Sequence, residues 1–194
     1  MYEYIEGALN EKNPAYCVIE TCGIGYFIQI SLSTYSALAD KSTAKLFLHQ
    51  VVREDAHLLF GFHSKIEREM FRMLISVSGV GANTARMMLS STSAEDLRQT
   101  ILAGNTAPLQ AIKGIGAKTA QRIIIELRDK VGKEKLAGGE LFPLQDNRLK
   151  DEALSALVIL GFGKGEADKV ISKILLTGTD LTLEELIKKA LKQL

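Results

Sequence analysis

The spacing of apolar residues changes at Phe62, and that change divides this 194-residue chain into parts of different character. From Met1 to Phe62 the apolar positions fall in short runs, YEYIEGAL, AYCVIET, IGYFIQIS, AKLFLHQVV and HLLFGF, with Gly, Pro, Asn and Asp between them. Ile24, Tyr26, Ile28 and Ile30 alternate with Gly25, Phe27 and Gln29, which predicts a strand with one buried face and one mixed face. Five such strands in so short a segment suit a small closed barrel of the OB type better than an open meander, because closure removes exposed edges. After Phe62 the period lengthens. Ile66, Met70, Phe71, Leu74 and Ile75 recur at three- and four-residue steps, the signature of one helical face. Ser64, with Glu67 three residues on, reads as a capping box. Helical patterns continue to about Val131, punctuated by glycines. Residues 131–147, VGKEKLAGGELFPLQDN, lose periodicity and carry three Gly and one Pro, the composition of a flexible linker. Beyond it, stripes through Leu149–Leu160, Ala167–Leu175 and Leu183–Leu191 predict three short helices.

The expected architecture is therefore α+β and multidomain. A barrel occupies 1–63, an all-α domain 64–130, a linker 131–147 and a three-helix bundle 148–194.

The middle segment repeats itself. Leu74–Ala85, LISVSGVGANTA, aligns with Leu109–Ala120, LQAIKGIGAKTA, at an offset of 35 residues with six of twelve positions identical. Each copy predicts a helix, a Gly-aliphatic-Gly turn and a second helix. The glycines at both turn positions are expected to permit positive φ and to remove a Cβ that would hold a ligand away. The aliphatic residue between them can plug inward. The turn delivers a helix N-terminus, whose free N–H groups and positive dipole end attract an anion. A single Gly-x-Gly turn more often just joins two helices. Two matched copies point instead to two grips on a phosphate backbone, made without reading bases. Other phosphate motifs do not fit. Thr84 and Thr119 stand where a dinucleotide fingerprint has its third Gly, and no G-x₄-G-K-[ST] pattern occurs, so ATP is not expected.

Composition narrows the classes further. The chain is 46% hydrophobic, too apolar for disorder, yet no apolar run is long enough for a membrane helix and MYEYIEGALN does not read as a signal peptide. A cytosolic protein is expected. Two cysteines, Cys17 and Cys22, are too few for a disulfide framework or a zinc site and are expected to be reduced core residues. His49, His57 and His63 show no triad or metal spacing. The net charge of +1 hides an uneven distribution. Residues 1–63 carry four basic and seven acidic side chains, whereas 64–130 carry ten basic and six acidic. A polyanion would meet the middle segment.

The two repeats look like paired helix-hairpin-helix motifs. Together with VVREDAHLLFGF, the β-rich start, the Gly-rich linker and the helical end, they make the whole chain resemble the RuvA family of bacterial Holliday-junction binding proteins. The resemblance implies an OB-fold barrel, a tandem helix-hairpin-helix domain and a C-terminal bundle of the UBA type. It implies a non-catalytic subunit, without cofactor or metal, that binds four-way junction DNA in recombination and repair and recruits the hexameric ATPase RuvB through residues 148–194. A homotetramer is implied, with a second tetramer able to close over the junction, and a RuvC-type resolvase is compatible with the full complex. By matching motifs, the amides of Gly79, Gly81, Gly114 and Gly116 and the side chain of Lys118 map to phosphate contacts, with Thr84 and Thr119 assisting. Asn83 belongs to the same set but is neutral where the family often has a basic residue, which leaves the first hairpin one charge short. Glu54 and Asp55 map to an acidic pin at the junction centre. Two other functions compete. A glycosylase would use a residue such as Asp129 beyond the second hairpin. A single-strand OB module would show stacking aromatics, for which Tyr26 and Phe27 are candidates although both read more naturally as core.

Overall fold

The first strand pairs with two neighbours, and its length is what lets the sheet close. In the computed structural model, which describes residues 2–133, 145–175 and 181–194, β1 (Tyr4–Asn13) pairs through Tyr4–Ala8 with β4 (Thr43–Val52). Through Ala8–Asn13 it pairs with β2 (Tyr16–Thr21), and a bulge between Leu9 and Glu11 bends it from one partner to the other. β2 turns into β3 (Ile24–Ile30) through Cys22 and Gly23, both in left-handed backbone at φ 52° and 77°. A short parallel pairing then joins β3 to β5 (His57–Phe62), which pairs antiparallel with β4 and closes the barrel β1-β2-β3-β5-β4. The five predicted strands and their closure are present.

Cys17, Ile19, Ile28, Ile30, Leu46 and Leu48 fill the barrel. Burial pushes the Cys17 thiol up to about 11, so it is a protonated core group. Cys22 is exposed in its turn, against the expectation of a second core cysteine. The alternation in β3 holds for Ile28 and Ile30, while Ile24 is exposed at the turn. Phe27 also departs from the core reading. It is 57% exposed on the outer face, where its ring stacks on Tyr16 at 4.7 Å. Between β3 and β4 lies a helix the periodicity did not predict, α1 (Leu32–Ala37), capped by Ser31 Oγ, which accepts from the Thr34 amide at 3.0 Å. At six residues it is too short to show a stripe.

Five helices follow within the same compact unit, Met1–Gly139. They are α2 (Lys65–Ile75), α3 (Ala82–Ser91), α4 (Ala94–Ala103), α5 (Ala107–Gln110) and α6 (Ala117–Lys133). Their core includes Phe60 and Phe62 of β5 together with Met70, Phe71, Leu74, Met88, Ile101, Ile123 and Leu127. The Phe71 ring lies 5.1 Å from Phe60 and 4.9 Å from Phe62. The last barrel strand is thus also a wall of the helical core, although the period changes at that residue.

Polar links reinforce the join. Ser64 caps α2 by accepting from the Glu67 amide at 3.2 Å, but the Glu67 carboxylate does not return to Ser64 as a capping box requires. It is buried and accepts from Ser31 Oγ and from Thr34 Oγ1 (2.8 Å), and it pairs with His63 Nδ1 at 2.7 Å. Those hydroxyls, brought close by α1, offer a buried carboxylate more than a solvent-facing cap does. Arg68, also buried, pairs with Glu3 at 2.8 Å and Glu69 at 3.1 Å.

The second unit, Glu140–Leu194, packs α7 (Gln145–Ile159), α8 (Lys164–Leu175) and α9 (Leu183–Leu191) around Ala153, Leu157, Ala167, Ile171, Ile174, Leu186 and Ala190. Gly161 at φ 101° ends α7, with the Phe162 amide donating to the Leu157 carbonyl at 3.1 Å. Thr182 and Glu185 form a reciprocal capping box on α9. Of the linker expected at 131–147, residues 134–144 lie outside the described residues, 131–133 complete α6 and 145–147 open α7.

Candidate nucleic-acid interface

The repeated sequence builds the same bend twice. In the first copy the Val77 amide donates to Leu74 O at 3.1 Å, Val80 to Val77 O at 3.0 Å and Ala85 to Gly81 O at 2.9 Å. In the second, Ile112 donates to Leu109 O at 3.2 Å, Ile115 to Ile112 O at 3.1 Å and Ala120 to Gly116 O at 2.9 Å. Val80 and Ile115, each 5% exposed, plug into the helical core as expected. Gly79 and Gly114 hold φ of 93° and 94°, a region that favours glycine. The expectation of positive φ at both turn positions is corrected for the other pair. Gly81 is extended (φ −84°, ψ 165°) and Gly116 also lies outside the positive-φ region. A Cβ at either would meet nothing within 4 Å, so both stand before open space. They keep the approach to the following helix open.

That helix start is bare. Ser64, Ser93 and Thr182 each cap their helices with a hydroxyl, whereas Gly81 gives α3 no side-chain cap. The first amides of α3 are therefore free for an external acceptor. Gly79, Gly81, Asn83, Gly114, Gly116 and Lys118 are exposed, and Thr84 and Thr119 are half-buried beside them. The two bends are neighbours. Thr119 Oγ1 lies 3.9 Å from where a Gly79 Cβ would stand, and Arg122 Nη1 donates to the Ser78 carbonyl at 3.3 Å. The structure thus brings all eight expected backbone-binding residues to adjoining turns. One asymmetry departs from the repeat: the second hairpin opens with α5, a single turn with Pro108 as its second residue, where the first has the eleven-residue α2.

Glu54 and Asp55 are exposed at the tip of the β4–β5 hairpin, a turn closed by the Arg53 amide donating to Ala56 O at 2.8 Å. Among the described residues no group of three or more His, Cys, Asp or Glu is placed to hold a metal. Asp129 lies exposed within α6.

Comparison with known proteins finds matches along the whole chain. Family models match in chain order: the RuvA N terminal domain at residues 1–61, the SAM-like helix-hairpin-helix tandem at 71–129 and the RuvA C-terminal domain at 149–194. A protein of Christiangramia forsetii is 52% identical over 194 residues, covering all of both chains. The chain belongs to the RuvA family. Relatives from Flavobacterium psychrophilum (48% identical over 200 residues) and Bacteroides fragilis (45% over 201) are likewise matched over the full length of both chains. All three relatives bear the name Holliday junction branch migration complex subunit RuvA.

Two features of this RuvA-family chain escape sequence reasoning. Arg86, one turn into α3, donates to the Ala15 carbonyl at 2.7 Å and ties the first hairpin to the barrel; burial lowers its pKa. Glu67 does the same for α2 through α1. Neither has a local sequence signal, because both act on partners far away along the chain.

Proposed function

We propose that this chain is a non-catalytic DNA-binding subunit that holds the backbone of a four-way junction and delivers it to the branch-migration motor RuvB. The observation that carries this reading is the pair of adjoining turns of equal geometry, each presenting a glycine-flanked helix start toward open space. Amides so arranged suit phosphate oxygens and carry no base preference. Four protomers arranged as a homotetramer would present one pair to each arm, matching the symmetry of the junction, and a second tetramer would cover the opposite face. Four copies of Glu54 and Asp55 near the centre would repel phosphates and guide strands into their arms. In the second unit Val158, Ile159 and Leu160 are exposed at the end of α7, Ile159 at 85%, which supports a partner-binding role for residues 148–194. A RuvC-type resolvase as a further partner rests on the family resemblance. A cytosolic place of action follows from the DNA target, and no helix among the described residues is long and apolar enough to cross a membrane.

One observation favours the single-strand module, the exposed Phe27 stacked on Tyr16. The same outer face carries Glu11, which accepts from Tyr16 Oη at 2.6 Å, and Glu20, and these carboxylates oppose a polyanion. A mobility-shift titration separates the readings. Tight binding of a synthetic junction over linear duplex and single strand of equal length, falling steeply with salt, is expected. A preference for single strands would transfer the function to the barrel face.

A further inference from the structure

The N-terminal half of β1 has a strand on one side only. Tyr4–Ala8 pairs with β4, whereas pairing with β2 starts at Ala8, so the other edge of Tyr4–Gly7 carries no neighbour. The ladder fixes which groups face that edge. The Leu48 amide donates to the Glu3 carbonyl at 3.0 Å and the Leu9 amide to the Ser42 carbonyl at 2.8 Å. Odd-numbered residues of β1 therefore bond toward β4, and the backbone N–H and C=O groups of Tyr4 and Glu6 point the other way. Tyr4 and Glu6 also line a cavity of about 400 Å³, together with Tyr2, Thr21 and Tyr26 and the core residues Ile5 and Leu48. Tyr2 and Tyr4 are exposed, while Tyr26 packs on the barrel core. Tyrosine faces beside a carboxylate attract a cation. Lys45 already shows the preference, with Nζ 4.1 Å from the centroid of the Tyr4 ring and 3.6 Å from Glu6 Oε2. That ion pair is long and both its side chains are well exposed, so it leaves the carboxylate open to a second cation.

We propose that this corner of the barrel binds an extended basic segment of a partner protein, which pairs with the free edge of β1 and seats an arginine or lysine side chain among Tyr2, Tyr4 and Glu6. Main-chain hydrogen bonds to Tyr4 and Glu6 would supply the register, and the cavity would select the side chain. Charge decides the class of partner. Residues 1–63 carry seven acidic and four basic side chains, and a nucleic-acid strand laid along this edge would bring its phosphates to Glu6. A basic peptide meets the opposite field. The site belongs to the barrel alone and does not depend on the phosphate-binding reading of the hairpins.

Tyrosine emission reads the site directly, because the chain has five Tyr and no Trp and Tyr2, Tyr4 and Tyr26 all line the cavity. The probe is a capped pentapeptide of threonine and valine with a central arginine, titrated into the full chain. A saturable change in emission is expected. Citrulline in place of the arginine keeps the shape without the charge and should weaken binding about tenfold. Glu6→Gln should cost a similar factor, and Tyr4→Leu as well, whereas Tyr4→Phe keeps the ring and should bind within about twofold of the parent. Glu6 is exposed, so Glu6→Gln decides the matter if Tyr4→Leu disturbs the strand. N-methylation of the peptide backbone beside the arginine removes a donor to the β1 edge and should weaken binding several-fold. No saturable change, equal binding of the citrulline peptide, or full affinity in Glu6→Gln would overturn the cation site. Undiminished binding of the methylated peptide would overturn the strand pairing. Tighter binding of an oligothymidine than of the peptide at this face, lost in Tyr4→Leu, would make it a nucleic-acid surface and overturn the proposal as a whole.

Discussion

The two hairpins share a backbone and half of the residues along it, and they differ in anchoring and in charge. Gly79 and Gly114 agree closely in φ, at 93° and 94°, and the hydrogen bonds around them correspond one for one. The first hairpin is fastened to the barrel by the buried Glu67, by Arg68 and by Arg86, yet its rim of Ser78, Asn83 and Met87 is uncharged. The second enters through the single turn of α5 and bears Lys113, Lys118 and Arg122. Bend geometry, set by glycine and an aliphatic plug, is thus separable from binding charge. In the proposed function, one copy serves position relative to the barrel and the other attraction.

The anchoring half of that contrast is tested first because it carries the largest effect. Glu67→Ala would strand Ser31, Thr34 and His63 around an empty buried place, and breaking such a network costs about 3 kcal/mol or more. Thermal unfolding of the full chain should show the loss, and Glu67→Gln, which keeps shape and one acceptor, should lose less. Unchanged melting of Glu67→Ala would mean that the barrel and the first hairpin are joined by apolar packing alone.

The shared backbone comes next. Alanine at Gly79 or at Gly114 must hold a positive φ, at a cost of about 1–3 kcal/mol, and the two penalties should be equal if the bends are equivalent. No atom lies near enough for a clash to contribute, since the closest approach is Thr119 Oγ1 at 3.9 Å from Gly79. Gly81→Ala behaves differently. Its backbone is extended, so stability should hold within about 0.5 kcal/mol, while the new methyl stands before the free amides of α3 and weakens junction binding. A Gly81→Ala protein that melts normally and binds fully would remove the amides from the site.

How much of this can be read from the chain depends on the range of the interactions. The five strands, the paired turns and the plugging of Val80 and Ile115 follow from local period and from self-similarity, and all are present. Only half of the capping box expected at Ser64 forms, because its amide bond is local, while the destination of the Glu67 carboxylate is set by Thr34 of α1, 33 residues upstream. Helix α1 itself is too short for a period to register. Phe27 departs from the core expectation for a related reason. Alternation assigns residues to faces but does not say which aromatic on the outer face will stack on a neighbour and stay exposed. The hydrogen bond from Arg122 to the Ser78 carbonyl is invisible to the repeat, because it runs between the two copies.

The charge half of the contrast has a smaller expected effect per residue. Lys118→Ala should weaken junction binding about tenfold, uniformly across sequences, and lower the salt slope by about 0.9 per site. Asn83→Ala, at the matching place, should change affinity less than about twofold. Equal losses at the two positions would show that hydrogen bonding rather than charge dominates, and the distinction between the hairpins would vanish.

A smaller effect on junction affinity than that of Lys118→Ala belongs to the acidic tip, whose charge is opposite to that of the second hairpin's cations. The Arg53 amide and Ala56 carbonyl close that turn without help from either carboxylate, so Glu54→Gln with Asp55→Asn should leave the fold intact. Removing like charge from the path of the duplex should raise affinity for linear DNA several-fold, while junction affinity moves by less than about 1 kcal/mol. The informative quantity is therefore the ratio of the two affinities, measured at one salt concentration. A ratio that stays constant in the double variant would mean that the carboxylates are solvated decoration and that discrimination between junction and duplex arises from the arrangement of the hairpins alone.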